Sequence, residues 1–246
     1  MDLTGLSDHL FAAELARRTG QRLQRFRAEH TGLSGRELGR AGDAAGQAFI
    51  AEQLARYRPG DGVLSEEAPD DAARLGQRRV WIVDPLDGTK EYGLGDRPDW
   101  AVHIALWADG ITAAAVAVPE LSFVYSTADP VPASPPEPKL LVSATRPPDA
   151  AVTVAAELGL TLTGMGSAGA KTAAVIRGEA VGYLHAGGQW EWDSAAPVGV
   201  ALAAGLHASR ADGSPLAYNR PNPYLPDLLI CHPAHASAIT ELVAGA

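Results

Sequence analysis

The chain has 246 residues, 29 acidic side chains against 20 basic ones, and a formal net charge of −9. That length buries a core without staples, and 46% hydrophobic with 20% charged residues excludes general disorder. The acid surplus excludes a nucleic-acid polymer as partner, because phosphate backbones are held by clustered Lys and Arg, and the single Cys231 excludes an intrachain disulfide or a Cys-rich zinc site.

Residues 7–30 place Leu10, Phe11, Leu15, Leu23 and Phe26 largely on one helical face, with Ser7 or Asp8 suited to cap the start. A Gly-rich loop is expected over 32–42, then a helix over 43–58 stopped by Pro59-Gly60. Residues 63–66 read as a strand end, and 79–84 as a β-branched and aromatic strand halted by Pro85. Strands at 100–107 and 111–118 are joined by the turn Ala108-Asp109-Gly110, and 122–127 is a further short strand. These consecutive strands predict an antiparallel sheet beside a helix pair, an α+β domain over 1–129.

Residues 129–139 contain Pro130, Pro132, Pro135, Pro136 and Pro138, a density no core element tolerates, so 130–139 is read as a stiff connector. Beyond it, strands at 140–143, 160–165, 181–185 and 228–231 alternate with helices at 149–158, 168–177, 195–206 and 234–243. That alternation predicts a mostly parallel sheet covered by helices, an α/β domain over 140–246. The N-terminus has no basic stretch leading into an apolar one. The longest apolar run, 195–206, is broken by Pro197, Gly199 and Gly205. A cytoplasmic protein with no membrane segment is expected.

The most informative peptide is Trp81-Ile82-Val83-Asp84-Pro85-Leu86-Asp87-Gly88-Thr89-Lys90-Glu91. A buried strand delivers Asp84, and Asp87 follows about one turn on. Gly88-Thr89 starts a helix whose free N–H groups face the carboxylates. Close carboxylates repel and need cations, while a helix start favours an anion, which together describe a divalent-metal phosphate site. An Asp-Pro turn with Asp87 as a plain N-cap explains the peptide equally well. Glu66-Glu67 ends the preceding strand, where alternation sends one carboxylate into a site and the other behind it, although a Glu pair is commonly a solvated loop edge. Glu191-Trp192-Asp193-Ser194-Ala195-Ala196-Pro197 opens a small-residue helix, where Trp192 alone reads as a core aromatic and Asp193 as a cap.

Taken together, the Glu66-Glu67 pair, the Asp84-to-Thr89 peptide and the Trp192-to-Ala196 peptide resemble the inositol monophosphatase-like superfamily of Mg²⁺-dependent, lithium-sensitive phosphatases. The resemblance implies a layered α-β-α-β-α fold and two or three Mg²⁺ ions held by Glu66, Asp84, Asp87, Asp193 and the Leu86 carbonyl, with Asp84 bridging two of them. It implies that Thr89 orients the attacking water while Asp43, at the start of the second helix, holds Thr89. Glu67 then supports the site from behind. Leu86, Asp87, Gly88, Thr89 and Asp193 would also contact the substrate phosphate.

Three features resemble the branch acting on adenosine bisphosphates: Thr89-Lys90-Glu91-Tyr92, the strand Val142-Ser143-Ala144-Thr145-Arg146, and the turn Gly166-Ser167-Ala168-Gly169-Ala170-Lys171. They imply hydrolysis of the 3′-phosphate of 3′-phosphoadenosine 5′-phosphate in sulfate assimilation, with Ser167 and Lys171 holding the second phosphate. The turn carries one residue more than that branch before its Lys. Inositol or fructose bisphosphate hydrolysis is the nearest alternative, and a catalytically silent nucleotide binder a weaker one. Gly164-Met165-Gly166-Ser167-Ala168-Gly169 also satisfies the dinucleotide fingerprint, but it does not open a domain and has no acidic residue ending a following strand at the expected offset. His103 reads as a sheet histidine, and Tyr92 and Trp100 as packing residues. Arg146 either reaches a phosphate or sits on the surface. His185, Gln189 and Trp190 either line a pocket or pack into a sheet edge.

Overall fold

In the computed structural model, which describes residues 2–245, the Ser7 hydroxyl accepts the Leu10 amide at 3.3 Å and starts α1 (Asp8–Glu29). Phe11, Leu15, Thr19 and Leu23 give α1 one buried face. The second helix, α2 (Gly35–Tyr57), begins well before residue 43, so most of the expected Gly-rich loop is helical. Three of its glycines explain this. A methyl group on Gly39 would lie 2.7 Å from Thr89 Cγ2, one on Gly42 2.7 Å from Tyr92 Cε1, and one on Gly46 3.1 Å from Pro85 Cβ. Glycine at these spacings costs helix propensity, about 1 kcal/mol each, but lets the helix lie flat against the 85–92 peptide. Asp43 is therefore a mid-helix residue, correcting its expected place at a helix start.

The first sheet runs in the order β1 (Gly62–Ser65), β2 (Val80–Asp87), β3 (Ala101–Trp107), β4 (Ile111–Val118), β5 (Phe123–Ser126). Only β1 with β2 is parallel; the other pairs are antiparallel, as expected. Trp81 and Val83 face α1 and α2, while Val80 and Ile82 face the opposite side. Both faces are thus buried. A short helix, α3 (Thr89–Leu94), follows β2.

The second sheet orders β6 (Lys139–Ser143), β7 (Thr161–Met165), β8 (Gly182–Trp190), β9 (His207–Ser209) and β10 (Tyr224–Cys231) as β7-β6-β8-β10-β9. It is mixed where a mostly parallel sheet was expected: β7-β6-β8 is parallel, but β10 pairs antiparallel with both β8 and β9. The physical reason is that the chain crosses from β8 through α6 (Glu191–Ala203) to β9 and then returns to insert β10 between them. At three residues, β9 is too short to carry a periodic signal.

Helices α5 (Ala168–Ile176) and α6 lie between the sheets. Their Ala173, Val175, Ala195 and Val200 share one core cluster with Ile82, Val116, Tyr183 and Leu228. Helices α4 (Asp149–Glu157) and α7 (Pro233–Ala244) cover the far face, where Val154 and Ile239 pack with Leu140, Leu229 and Cys231. The layers are α-β-α-β-α, as the resemblance implied. The Pro-rich segment has no regular element. Its Ala133, Ser134 and Glu137 amides donate to the Ala204, Ile176 and Gly178 carbonyls, which ties it to the ends of the middle helices.

Candidate active site

The site forms where β2 breaks its ladder. Pairing with β3 is regular through Asp84 opposite His103, then shifts before Asp87, because Pro85 has no N–H and the chain must bend. The bend turns Asp84 back so that its Oδ1 accepts the Leu86 amide at 2.9 Å. Asp84 is almost fully buried. Burial, then the charges of Glu66, Asp87 and Asp193, hold its carboxyl well above the usual range.

Glu66 arrives beside it because β1 runs parallel to β2 with Ser65 opposite Val83. It stands at the rim, where loss of hydration and then the charges of Asp193 and Asp43 push its carboxyl to about 8. Asp193 comes from the middle layer, in the first turn of α6, where it accepts the Trp190 amide at 2.6 Å. Burial and then the Asp87 charge raise it to about 6. Carboxylate oxygens of Asp84, Asp87 and Asp193 lie within 4.8 Å of one another.

Asp87 is the exception. Burial acts against its charge, but His103 and Lys171 beside it and a hydrogen bond from Ser167 lower it to about 2. Ser167 Oγ donates to Asp87 Oδ2 at 2.5 Å, and the Gly169 amide donates to the same oxygen at 2.8 Å. His103 Nε2 lies 3.1 Å from that oxygen, at ion-pair distance but out of line for a hydrogen bond. His103 was expected to be an ordinary sheet residue, and only its partner across the ladder reveals its place. Lys171 Nζ donates to the Ser167, Gly166 and Met165 carbonyls at 2.8, 3.2 and 3.3 Å. It also lies 4.7 Å from the Tyr183 ring centroid. Burial lowers its ammonium to about 8. The Gly166 amide donates to Asp99 Oδ2 at 2.8 Å. The glycine-rich turn that satisfies the dinucleotide fingerprint thus spends amides on the protein's own carboxylates, and the oxidoreductase reading falls away.

On the other side, Gly88 takes a left-handed conformation (φ 92°) with Asp99 O only 2.9 Å from where a methyl group would sit. Thr89 Oγ1 then lies 3.3 Å from Asp43 Oδ1 and 3.1 Å from the Leu86 carbonyl, so one hydroxyl hydrogen serves two acceptors. Burial and then the charge of Glu67 raise Asp43 to about 7. Glu67 itself is solvent-exposed.

A cavity of about 330 Å³ opens on the cluster, lined by Glu66, Asp87 and Asp193 on one side and by Arg146, Ser167, Lys171, His185, Gln189 and Trp190 around it. Tyr92 and Trp100 are buried elsewhere, as packing residues. Lys171 and His103 both serve Asp87, and among the described residues no ion pair reaches Glu66, Asp84 or Asp193. An all-oxygen donor set with uncompensated charge fits a hard divalent cation.

This carboxylate geometry is accompanied by a match to the model of the inositol monophosphatase family over residues 9–244. The chain belongs to that family. A Mycobacterium leprae protein named 3′-phosphoadenosine 5′-phosphate phosphatase is 50% identical over 242 residues, covering 92% of this chain and 89% of its own. A Mycobacterium bovis protein of the same name is 53% identical over 221 residues, covering 85% and 83%. An inositol monophosphatase from Anabaena (Nostoc) sp. PCC 7120 superposes with a TM-score of 0.75 at 23% identity, covering 96% and 95%, which establishes the fold alone. This family member is a phosphatase, its family is metal-dependent, and its acidic cluster can hold a metal ion. Among the described residues, no helix is long and apolar enough to cross a membrane.

Proposed function

We propose that the protein hydrolyses the 3′-phosphate of 3′-phosphoadenosine 5′-phosphate to AMP and phosphate, as the resemblance to the adenosine bisphosphate branch implied. The observation that carries this reading is the 50% and 53% identity to mycobacterial proteins bearing that activity in their names. Glu66, Asp84, Asp87, Asp193 and the Leu86 carbonyl would hold Mg²⁺. When bound, Mg²⁺ supplies Lewis-acid stabilisation of charge on the phosphoryl oxygens.

The chain's own groups do the rest. Thr89 Oγ1, tethered to Asp43, orients the attacking water. Asp43, raised to about 7, is poised to receive a proton through that hydroxyl. The Gly88 and Thr89 amides face the phosphoryl oxygens, and Asp193 positions the departing ribose oxygen. Glu67 keeps Asp43 basic by its charge. Around the second phosphate, Ser167 and Lys171 line the cavity wall. Lys171 has all three ammonium hydrogens engaged by carbonyls, so it acts by charge. Arg146 brings an exposed guanidinium to the same cavity.

The test is a comparison of kcat/KM for 3′-phosphoadenosine 5′-phosphate, inositol 1-phosphate and fructose 1,6-bisphosphate, with and without Mg²⁺ and Li⁺. A preference of tenfold or more for the adenosine bisphosphate, dependent on Mg²⁺ and lost with Li⁺, is expected. A higher rate on either sugar phosphate would overturn the assignment.

A further inference from the structure

The last turn of β8 is shaped in a way that pairing alone does not require. Its ladder with β10 shifts between Leu225 and Asp227, leaving Gly187 and Gly188 in a bulge, at φ +94° and +95°. Only glycine takes that conformation readily, and a methyl group on Gly188 would also overlap Tyr224. His185 Nε2 lies 2.9 Å from the Gly188 carbonyl and pins the bulge. Bulges re-aim side chains beside active sites. The two residues re-aimed here are Gln189 and Trp190, both on the cavity wall, with Trp190 three residues before Asp193.

Each is unusual for its position. Gln189 is only 7% exposed, yet among the described residues its side-chain amide has no hydrogen-bond partner and its Nε2 is a buried, unpaired donor. Buried polar groups are nearly always paired, so an orphan facing a cavity points to a ligand. Trp190 is 43% exposed but not loose. It stacks on Trp192 at 5.4 Å and 14°, and Tyr224 meets it edge-on at 5.7 Å and 81°. An indole fixed by two neighbours is a ready stacking surface, because little entropy is lost on binding.

We propose that Gln189 and Trp190 form a base-recognition wall, with Trp190 stacking on a purine and the Gln189 amide reading its edge. A primary amide pairs one donor and one acceptor with the ring nitrogen and exocyclic amine of adenine. A saturated polyol offers no face to Trp190 and no such edge to Gln189. The wall deepens, and rests on, the adenosine bisphosphate reading, since it says which part of the substrate tells it from a sugar phosphate.

The experiment is calorimetric binding of AMP, IMP and ribose 5-phosphate to the full chain with Mg²⁺. Wild type should bind AMP at least about tenfold tighter than ribose 5-phosphate, in line with stacking on an aromatic side chain. Trp190→Ala should lose that preference while keeping its affinity for ribose 5-phosphate, and Trp190→Phe should restore most of it. Gln189→Leu should bind AMP and IMP alike where wild type prefers AMP. Equal wild-type affinity for AMP and ribose 5-phosphate, or equal weakening of both by Trp190→Ala, would overturn the wall. Failure of the substrate reading looks different: slow turnover of the bisphosphate with the AMP preference intact leaves the wall standing.

Discussion

Ser167 and Asp87 are eighty residues apart in sequence and 2.5 Å apart in space, hydroxyl to carboxylate. The first turn of α5 therefore closes on a carboxylate of β2. Its Gly169 amide donates to the same carboxylate, and with Lys171 and His103 beside it Asp87 is kept ionised. If that hold matters for metal binding, Ser167→Ala should raise the Mg²⁺ concentration for half-maximal activity about tenfold. The KM for substrate at saturating Mg²⁺ should rise as well, because Ser167 also lines the wall around the second phosphate. A Mg²⁺ activation curve identical to wild type would show that Asp87 needs no help from Ser167.

The remaining carboxylates give a pH dependence of opposite sign. Glu66 at about 8, Asp193 at about 6 and Asp84 well above its ordinary value all bind protons more tightly folded than unfolded. Between their unfolded values near ~4 and pH 8, the folded state holds the extra protons. Stability without metal is then highest at the acid end of this window and falls as pH rises. Asp87, lowered to about 2, changes stability only below the window. Thermal melts without metal should show Tm falling from pH 5 to pH 8, and the Tm gain on adding Mg²⁺ growing over the same range. Asp84→Asn should flatten both trends and abolish Mg²⁺-dependent turnover. A Mg²⁺ increment that does not vary with pH would count against the cluster as the metal site.

Thr89 offers a cleaner separation of chemistry from folding. Its hydroxyl touches Asp43 and the Leu86 carbonyl, but its methyl group packs on Gly39. Thr89→Val keeps the shape and removes the hydroxyl, so kcat should fall by about 10²-fold or more with Tm nearly unchanged. Thr89→Ser, which keeps the hydroxyl, should retain most of the rate. Full activity in the valine variant would remove Thr89 from the proton path.

Gly39 itself is a test of how the site is positioned. Alanine would improve helix propensity by about 1 kcal/mol, yet its methyl group would lie 2.7 Å from Thr89 Cγ2 and 2.9 Å from the Thr89 carbonyl. Overpacking of this kind costs about 1–3 kcal/mol and separates Thr89 from Asp43. Gly39→Ala should lose activity more than stability, measured as kcat against Tm. An alanine variant that is both more stable and fully active would mean the close approach is dispensable.

What could be read in advance follows from how each signal is carried. Strands such as β2, β3 and β4 show because β-branched and aromatic residues recur there in short runs, and the acidic peptides show because carboxylates in such patterns demand an explanation. The start of α2 did not, because Gly39 and Gly42 read as a loop when their real role is to let a helix lie against Thr89 and Tyr92. The antiparallel insertion of β10 was equally hidden, since strand direction follows from the crossover through α6 to the three-residue β9. His103 was placed in its strand but not in the site. Its meeting with Asp87 depends on a ladder shift at Pro85 that no local pattern announces.

The sandwiching of α5 and α6 between the two sheets also sets how the molecule must come together. Glu66, Asp84 and Asp87 belong to the chain before the proline segment and Asp193 to the chain after it. The apolar surface that unites them is shared by both. Each half has a core cluster of its own, but neither can close the shared cluster between the sheets or complete the ion socket alone. A newly made chain therefore lacks its complete acidic cluster until α6, made more than a hundred residues after β2, has brought Asp193 to Asp84 and Asp87.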